Sequence, residues 1–441
     1  MLPDSFTDVL KQWGVEPPSR LLLAVSGGID SMVLFHMASS SSFEIGVAHM
    51  NFNLRSNDSD ADQKLVAEIS EAHKVPFYSK QVDTKNYAIE HGVSIQVAAR
   101  ELRYAWFEEL MKEHNYDYLL TAHHLNDSLE TSLFHFTRGG SLASLRGIPE
   151  KTGQILRPLL SFSRQEIESY AEEHKLSWRE DLSNADDKYL RNFLRINVVP
   201  KLREINPSLE KTFLRNSERL NAGLALVKQE ALGRWQKYGR VKDDVVYIDK
   251  DALTDGNIAV AEELLSAFQL TFSQMKNLLA AVSSDKSSQV FEGPNHTLVV
   301  DREQIIITPI ASDIDELVLD VRGGSWEING GTIKIYQSEG SQLLREKYAV
   351  SFDADKVGNR LTLRPWREGD RIQPLGMQGK KKVSDLMIDE KIPLNLKNRV
   401  WVLEASESLV WVVGLRISEQ FKVEPDTSRI LNIVFEHDQP I

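Results

Sequence analysis

LLLAVSGGIDSMVLFHM, residues 21–37, decides the fold of this chain. Leu21 to Val25 is a short apolar run, and Met32 to Met37 is apolar at helical spacing; the intervening Ser-Gly-Gly marks a tight turn. The stretch therefore predicts strand, glycine turn, helix. Two adjacent glycines permit positive φ angles and close backbone approach. Such a turn delivers free backbone N–H groups at a helix N-terminus, which favours an anion. Ser26 and Ser31 add hydroxyl donors, so Ser26, Gly27, Gly28, Ile29, Asp30 and Ser31 form the candidate anion loop. Asp30 repels phosphate, and its place there makes sense as a magnesium ligand that bridges to phosphate oxygens. The plainer alternative is a well-capped strand–helix turn. The buried-type strand before it and the helix after it favour the phosphate reading. The loop lacks the Gly-Lys-Ser/Thr ending of a Walker loop.

Working outward, Phe43–Ala48, Pro76–Val82 and Tyr116–Thr121 read as further strands. Residues 60–73, Gln96–His114 and Asn126–Phe136 read as helices between and after them. Such alternation predicts an α/β domain with a parallel sheet covered on both faces. Ligands bind beyond the carboxyl ends of such strands, and SGGIDS, HMNFNLR (49–55) and TAHHLND (121–127) all fall there. Residues 207–280 read as mostly helical, 289–310 as a hairpin, and the chain from about 348 as β-rich. The domain expectation is 1–212 for the nucleotide domain, 213–312 for a mainly helical middle domain and 345–441 for a C-terminal domain. The 441 residues carry a net charge of −12 and no cysteine, which excludes disulfides, thiol nucleophiles and Cys-based metal sites. No run of about 18 apolar residues and no signal-peptide pattern is present, so the expectation is no membrane and a cytoplasmic location.

TAHHLNDSLET (121–131) sits where a strand becomes a helix, with Asp127 in the first turn and Glu130 on the same face. Acids at a helix start also serve the helix dipole. Beside the candidate phosphate loop, Asp127 suits a magnesium ligand shared with Asp30, or a general base on an incoming amine. His123 and His124 suit substrate contact or a structural role, and Asn126 suits the helix cap. In AARELRY (98–104), Arg100 and Arg103 lie about one turn apart. An arginine there would neutralise charge developing on a phosphate, and a solvated helix face is the alternative, more so for Arg100.

SGGIDS resembles the PP-loop of enzymes that split ATP between its α and β phosphates. SGGIDS, HMNFNLR, AARELRY, TAHHLNDSLET, RPLL (157–160), DLSN (181–184) and RNFLRINVVPKL (191–202) follow one another in the order found in tRNA(Ile)-lysidine synthases. The resemblance spans almost all of residues 20–205. It departs in two places. Phe52 or Asn53 stands where the family's HxNHxLR block has its second histidine, and Asn126-Asp127 stands for a frequent Asp-Asp, which leaves Asp127 to carry the carboxylate. The resemblance implies an adenine nucleotide alpha hydrolase-like fold, ATP and magnesium as cofactors, and two steps. ATP adenylates the wobble cytidine of an isoleucine tRNA with a CAU anticodon; the ε-amine of free L-lysine then attacks carbon 2 and expels AMP. Asp30 and Asp127 match the catalytic and metal positions, with Arg103 as their electrostatic partner.

Residues 360–399 hold ten Lys/Arg against five Asp/Glu, with Lys380, Lys381 and Lys382 in a row and Trp366 nearby for stacking. Such a patch suits a phosphate backbone, an ordinary solvated loop being the alternative. It resembles the terminal tRNA-gripping domain of full-length lysidine synthases, and residues 216–310 resemble their middle domain more weakly. Asn184, Arg191, Asn192 and Arg195 are candidate anticodon-stem contacts, with structural ion pairs as the alternative. Related tRNA thiolases depend on cysteines that this chain lacks. An ammonia-using NAD synthetase-like enzyme would leave the basic C-terminal module unexplained. A non-catalytic tRNA-binding protein would have no need of Asp30 and Asp127.

Overall fold

The computed structural model describes residues 2–53, 57–179, 190–284, 288–310, 316–328, 331–338 and 343–437. The chain divides into two compact units, residues 1–225 and 226–441.

The first unit opens with α1 (Leu2–Gln12), β1 (Arg20–Ala24), α2 (Ile29–Ser39), β2 (Glu44–Asn51), α3 (Asn57–Ala72) and β3 (Phe77–Gln81). It continues with α4 (Thr84–His91), α5 (Ile95–His114), β4 (Tyr118–Leu120), α6 (Leu125–Arg138), α7 (Leu142–Leu145), β5 (Lys151–Thr152), β6 (Ile155–Leu156) and α8 (Arg164–Glu173). The sheet order is β3-β2-β1-β4-β6-β5, parallel except for β5. Successive residues of β1 point to opposite faces, as a strand requires. Leu21 and Leu23 join a cluster with Met32, Val33 and Leu34 of α2 and Ile167 and Tyr170 of α8. Leu22 joins Ala48, Trp106, Phe107 and Leu110 on the other face. Both faces of β1 are thus buried, which is why its sequence is an unbroken apolar run. The chain leaves β1 towards β2 on one side, and β4 pairs on the other. That reversal opens a crevice at the carboxyl ends of β1 and β4, where the glycine turn and TAHHLND lie.

Beyond α8 come α9 (Leu190–Phe193), a π-helical turn (Leu194–Val198), α10 (Val199–Ile205) and the 30-residue α11 (Leu209–Tyr238), within which the division between units falls. The second unit begins with β7 (Gly239–Lys242), β8 (Val245–Asp249), α12 (Ile258–Leu264), α13 (Phe272–Val282), β9 (Gln289–Glu292), β10 (His296–Asp301) and β11 (Gln304–Pro309). The middle segment thus adds an antiparallel sheet, β7-β8-β11-β10-β9, to its helices. The strands of Gly239–Asp249 lie in a stretch expected to be mostly helical; VVYID is β-branched and aromatic, which fits a pleated surface. Two further five-stranded sheets follow and share one hydrophobic cluster that includes Leu319, Ile333, Phe352, Leu363, Trp411 and Leu431. Among the described residues no helix is long and apolar enough to cross a membrane.

Candidate active site

The glycine turn is built as its residue types demand. Gly27 adopts φ +93°, a conformation strained for any residue with a Cβ. Gly28 is the N-cap of α2, so the first N–H groups of that helix face the crevice end of β1. Ser31 folds the loop back on itself: its Oγ accepts from the N–H groups of Ser26 (3.1 Å) and Gly27 (3.2 Å) and donates to the Gly28 carbonyl (2.8 Å). The Ser31 hydroxyl thus shapes the cradle, and the Ser26 hydroxyl lies 3.2 Å from it. His49 is buried at the end of β2 and donates from Nδ1 to the Val25 carbonyl (2.9 Å). Burial holds its pKa below the usual histidine range, so it is a neutral strut under the loop.

Asp30 and Asp127 converge on one imidazole. His124 Nε2 lies 3.7 Å from Asp30 Oδ1 and 3.5 Å from Asp127 Oδ2, and His124 is itself buried. His124, rather than Asn126, is the N-cap of α6, and its backbone N–H donates to Asp127 Oδ2 (3.0 Å). Asn126 lies inside the first turn, where it accepts from the Arg164 N–H (2.9 Å) and donates to Glu210 (3.1 Å). The cap expected at Asn126 is corrected accordingly: the cap lies two residues earlier, at His124, and the Asn126 side chain is committed to distant partners.

The two carboxyls differ. Burial pushes Asp30 up, against the opposing pull of His124 and Arg164. For Asp127 burial also acts upward, but His124, His123, the His124 N–H and Arg195 outweigh it and hold the carboxyl below the usual range. His123 bonds Thr121 Oγ1 (2.9 Å), and burial lowers its pKa to about 4.

Arginines from outlying helices reach these acids. Arg164, the first residue of α8, donates through Nη1 to both oxygens of Asp30 (2.8 and 2.7 Å) and through Nε to Glu168. Arg195, in the π turn, donates to Glu130 from Nε (2.7 Å) and Nη2 (2.8 Å) and lies 3.4 Å from Asp127. Glu130 is only 3% exposed. Arg191 bonds Thr131 Oγ1. Arg164 was not singled out by the sequence, because nothing local marks a residue 134 positions from its partner.

Across a cavity of about 220 Å³ from the loop, Arg103 lies over the ring of Phe52 at 4.9 Å. Among the described residues Arg103 makes no ion pair, and burial lowers its pKa. The cavity is therefore polarised, with acids at Asp30 and Asp127 and an uncompensated guanidinium opposite. Arg100 turns instead to the ring of Tyr104 (4.9 Å). Among the described residues no group of three or more His, Cys, Asp and Glu could hold a metal. Two carboxylates do suit magnesium, which takes few protein ligands and completes its shell with phosphate oxygens and water.

In the second unit, Lys381–Lys382 pairs antiparallel with Arg371–Ile372. Lys380 and Lys382 are exposed, and Lys381 is bonded to Asp389. Trp366 packs against the cluster of Ile372, Val383 and Met387. Residues 181–184, Asn184 among them, and Arg55 lie outside the described residues.

The PP-loop domain family matches residues 3–202, the TilS substrate binding domain matches 241–310, and the TilS substrate C-terminal domain matches 361–433. A tRNA(Ile)-lysidine synthase of Parabacteroides distasonis is 34% identical over 421 residues, covering 94% of this chain and 95% of the relative. One of Bacteroides thetaiotaomicron is 31% identical with the same coverage, and one of Porphyromonas gingivalis is 31% identical over 94% of each chain.

Proposed function

The chain belongs to the tRNA(Ile)-lysidine synthases, ATP-dependent ligases of the PP-loop class, and from that premise we propose how its residues divide the reaction. The substrates are an isoleucine tRNA with a CAU anticodon, ATP and free L-lysine, in the cytoplasm. The observation that carries the reading is the convergence of Asp30 and Asp127 on His124 beside the glycine cradle.

The cradle N–H groups and Arg103 hold the triphosphate, and the base enters the same crevice so that its carbonyl oxygen meets the α-phosphorus. The oxygen–phosphorus bond forms as pyrophosphate leaves. Magnesium, held by Asp30 and Asp127, would supply charge neutralisation on the phosphates. In the second step the lysine ε-amine attacks carbon 2 of the base and AMP leaves. That amine is a nucleophile only after loss of a proton. Asp127, held ionised, attracts the ammonium and stands where the proton must go. His124 between the two acids keeps both oriented. Lys380, Lys381 and Lys382 serve the tRNA backbone away from the reacting base.

The test combines purified protein, magnesium-ATP, radiolabelled lysine and an unmodified isoleucine tRNA transcript with a CAU anticodon. Label in acid-precipitable tRNA is expected, and it is lost with Asp127→Ala or with uridine at the wobble position. AMP release that depends on another nucleophile, with no labelled tRNA, would overturn the substrate assignment and keep the adenylating site. No AMP release at all would leave a tRNA-binding protein.

A further inference from the structure

Asp127, Thr131, Phe134 and Arg138 are spaced at i, i+4, i+7 and i+11 on α6. At 3.6 residues per turn they fall within about 60° of one another and form one stripe. The contacts bear this out. Arg191 of α9, which packs on α6, caps the stripe at Thr131, and the Arg138 guanidinium lies 5.1 Å from the centre of the Phe134 ring.

Two guanidinium groups therefore sit on the stripe that starts at the reactive carboxylate. Neither makes an ion pair among the described residues, unlike Arg164 and Arg195. Along α6 the acids stop at Glu130. Residues 131–149 contain no Asp or Glu, and neither do 190–203, in a chain whose net charge is −12. Phe193, beside Arg191, is 45% exposed and presents an aromatic face that the core does not use. Arg138 stands about 16 Å along the helix axis from Asp127, which is roughly five stacked nucleotides at 3.4 Å each. That is too far to serve the triphosphate of an ATP whose reacting end is at Asp127. It is the right reach for the strand that carries the reacting base.

We propose that Arg191 and Arg138 form a rail along α6 that grips successive phosphates of the single-stranded RNA flanking the target base, with Phe193 as a stacking surface for an unpaired neighbour. This rests on the tRNA reading of the active site. Phe134 acts beneath the rail: its ring, 5.1 Å away, holds the guanidinium of the exposed Arg138 on the stripe. Planar guanidinium groups suit phosphate, and aromatic faces accept any base.

The test measures binding of a fluorescently labelled anticodon stem-loop with a CAU loop, across a series of salt concentrations. Wild-type protein is compared with Arg138→Gln, Arg191→Gln, Arg138→Lys and Phe134→Ala. Each Gln variant is expected to bind about 5- to 10-fold more weakly. Each is also expected to lower the slope of log affinity against log salt by about 0.7. Arg138→Lys keeps the slope, and Phe134→Ala weakens binding through Arg138 alone, so it adds nothing to Arg138→Gln. ATP affinity stays at the wild-type value in all four, which controls for folding. Unchanged RNA affinity and slope in both Gln variants, with wild type binding, would overturn the rail. Self-association of wild type that the Gln variants abolish, with RNA binding unchanged, would assign the face to a second copy and overturn it too. A wild type that neither binds the stem-loop nor labels tRNA with lysine would overturn the parent reading and the rail with it.

Discussion

Arg195→Met should destabilise the first unit by an amount its geometry sets. Glu130 is 3% exposed and accepts from Arg195 Nε at 2.7 Å and from Nη2 at 2.8 Å. Removing one member of a buried pair costs about 3–5 kcal/mol, because the other charge is left uncompensated. The Arg195 side chain is 36% exposed, so water screens part of that loss and about 2–3 kcal/mol remains. For a unit of 225 residues each kcal/mol moves the melting temperature by about 2–4 °C, which gives a fall of about 4–12 °C. Calorimetry of wild type, Arg195→Met, Glu130→Gln and the double variant measures it. With Glu130→Gln the buried charge is gone, so adding Arg195→Met should then cost about 1 kcal/mol or less. A melting point for Arg195→Met within about 1 °C of wild type, or fully additive losses in the double variant, would refute the reasoning.

Four further outcomes are expected. Asp127→Asn should lower lysine transfer about 100- to 10,000-fold while ATP still binds, checked by single-turnover labelling beside nucleotide titration. His123 titrates at about 4 in the folded chain, below the ordinary 6.5, so between those values the unfolded chain binds the extra proton. Its contribution is therefore fully present above pH 6.5 and lost as pH falls towards 4, by on the order of 3 kcal/mol at most, and His123→Asn should flatten that part of a urea-denaturation series. Gly27→Ala, at φ +93°, should cost about 1–2 kcal/mol of stability and weaken ATP binding, read by thermal melting with and without nucleotide. Replacing Lys380 and Lys382 by Ala should lower the salt slope of full-length tRNA binding by about 0.9 for each lysine engaged, whereas Lys381→Ala, starting from a lysine tied to Asp389, should change it less.

Much of the fold is legible in local strings because the signals are local. The run Leu21–Val25 is apolar throughout since both faces of β1 are covered, and the glycine pair names its own turn. The same locality explains Asn126: its type says cap, but Glu210 and the Arg164 N–H claim its side chain from far along the chain. The strands at Gly239–Asp249 were hidden for a related reason. They are short and flanked by helices, and only pairing with β11 separates them from a helical continuation.

The sequence by itself determined the glycine cradle, the parallel-sheet domain that carries it, and the identity of Asp30, Asp127 and Arg103 as the residues at its mouth. Only the tertiary structure decided their electrostatic company. His124 bridges two acids from different strand ends, Arg164 reaches Asp30 across 134 positions, and Arg195 reaches Glu130 across 65. Turn and periodicity signals are written within a few residues, whereas the field at a carboxylate is set by whichever charges the folded chain brings within a few ångströms of it.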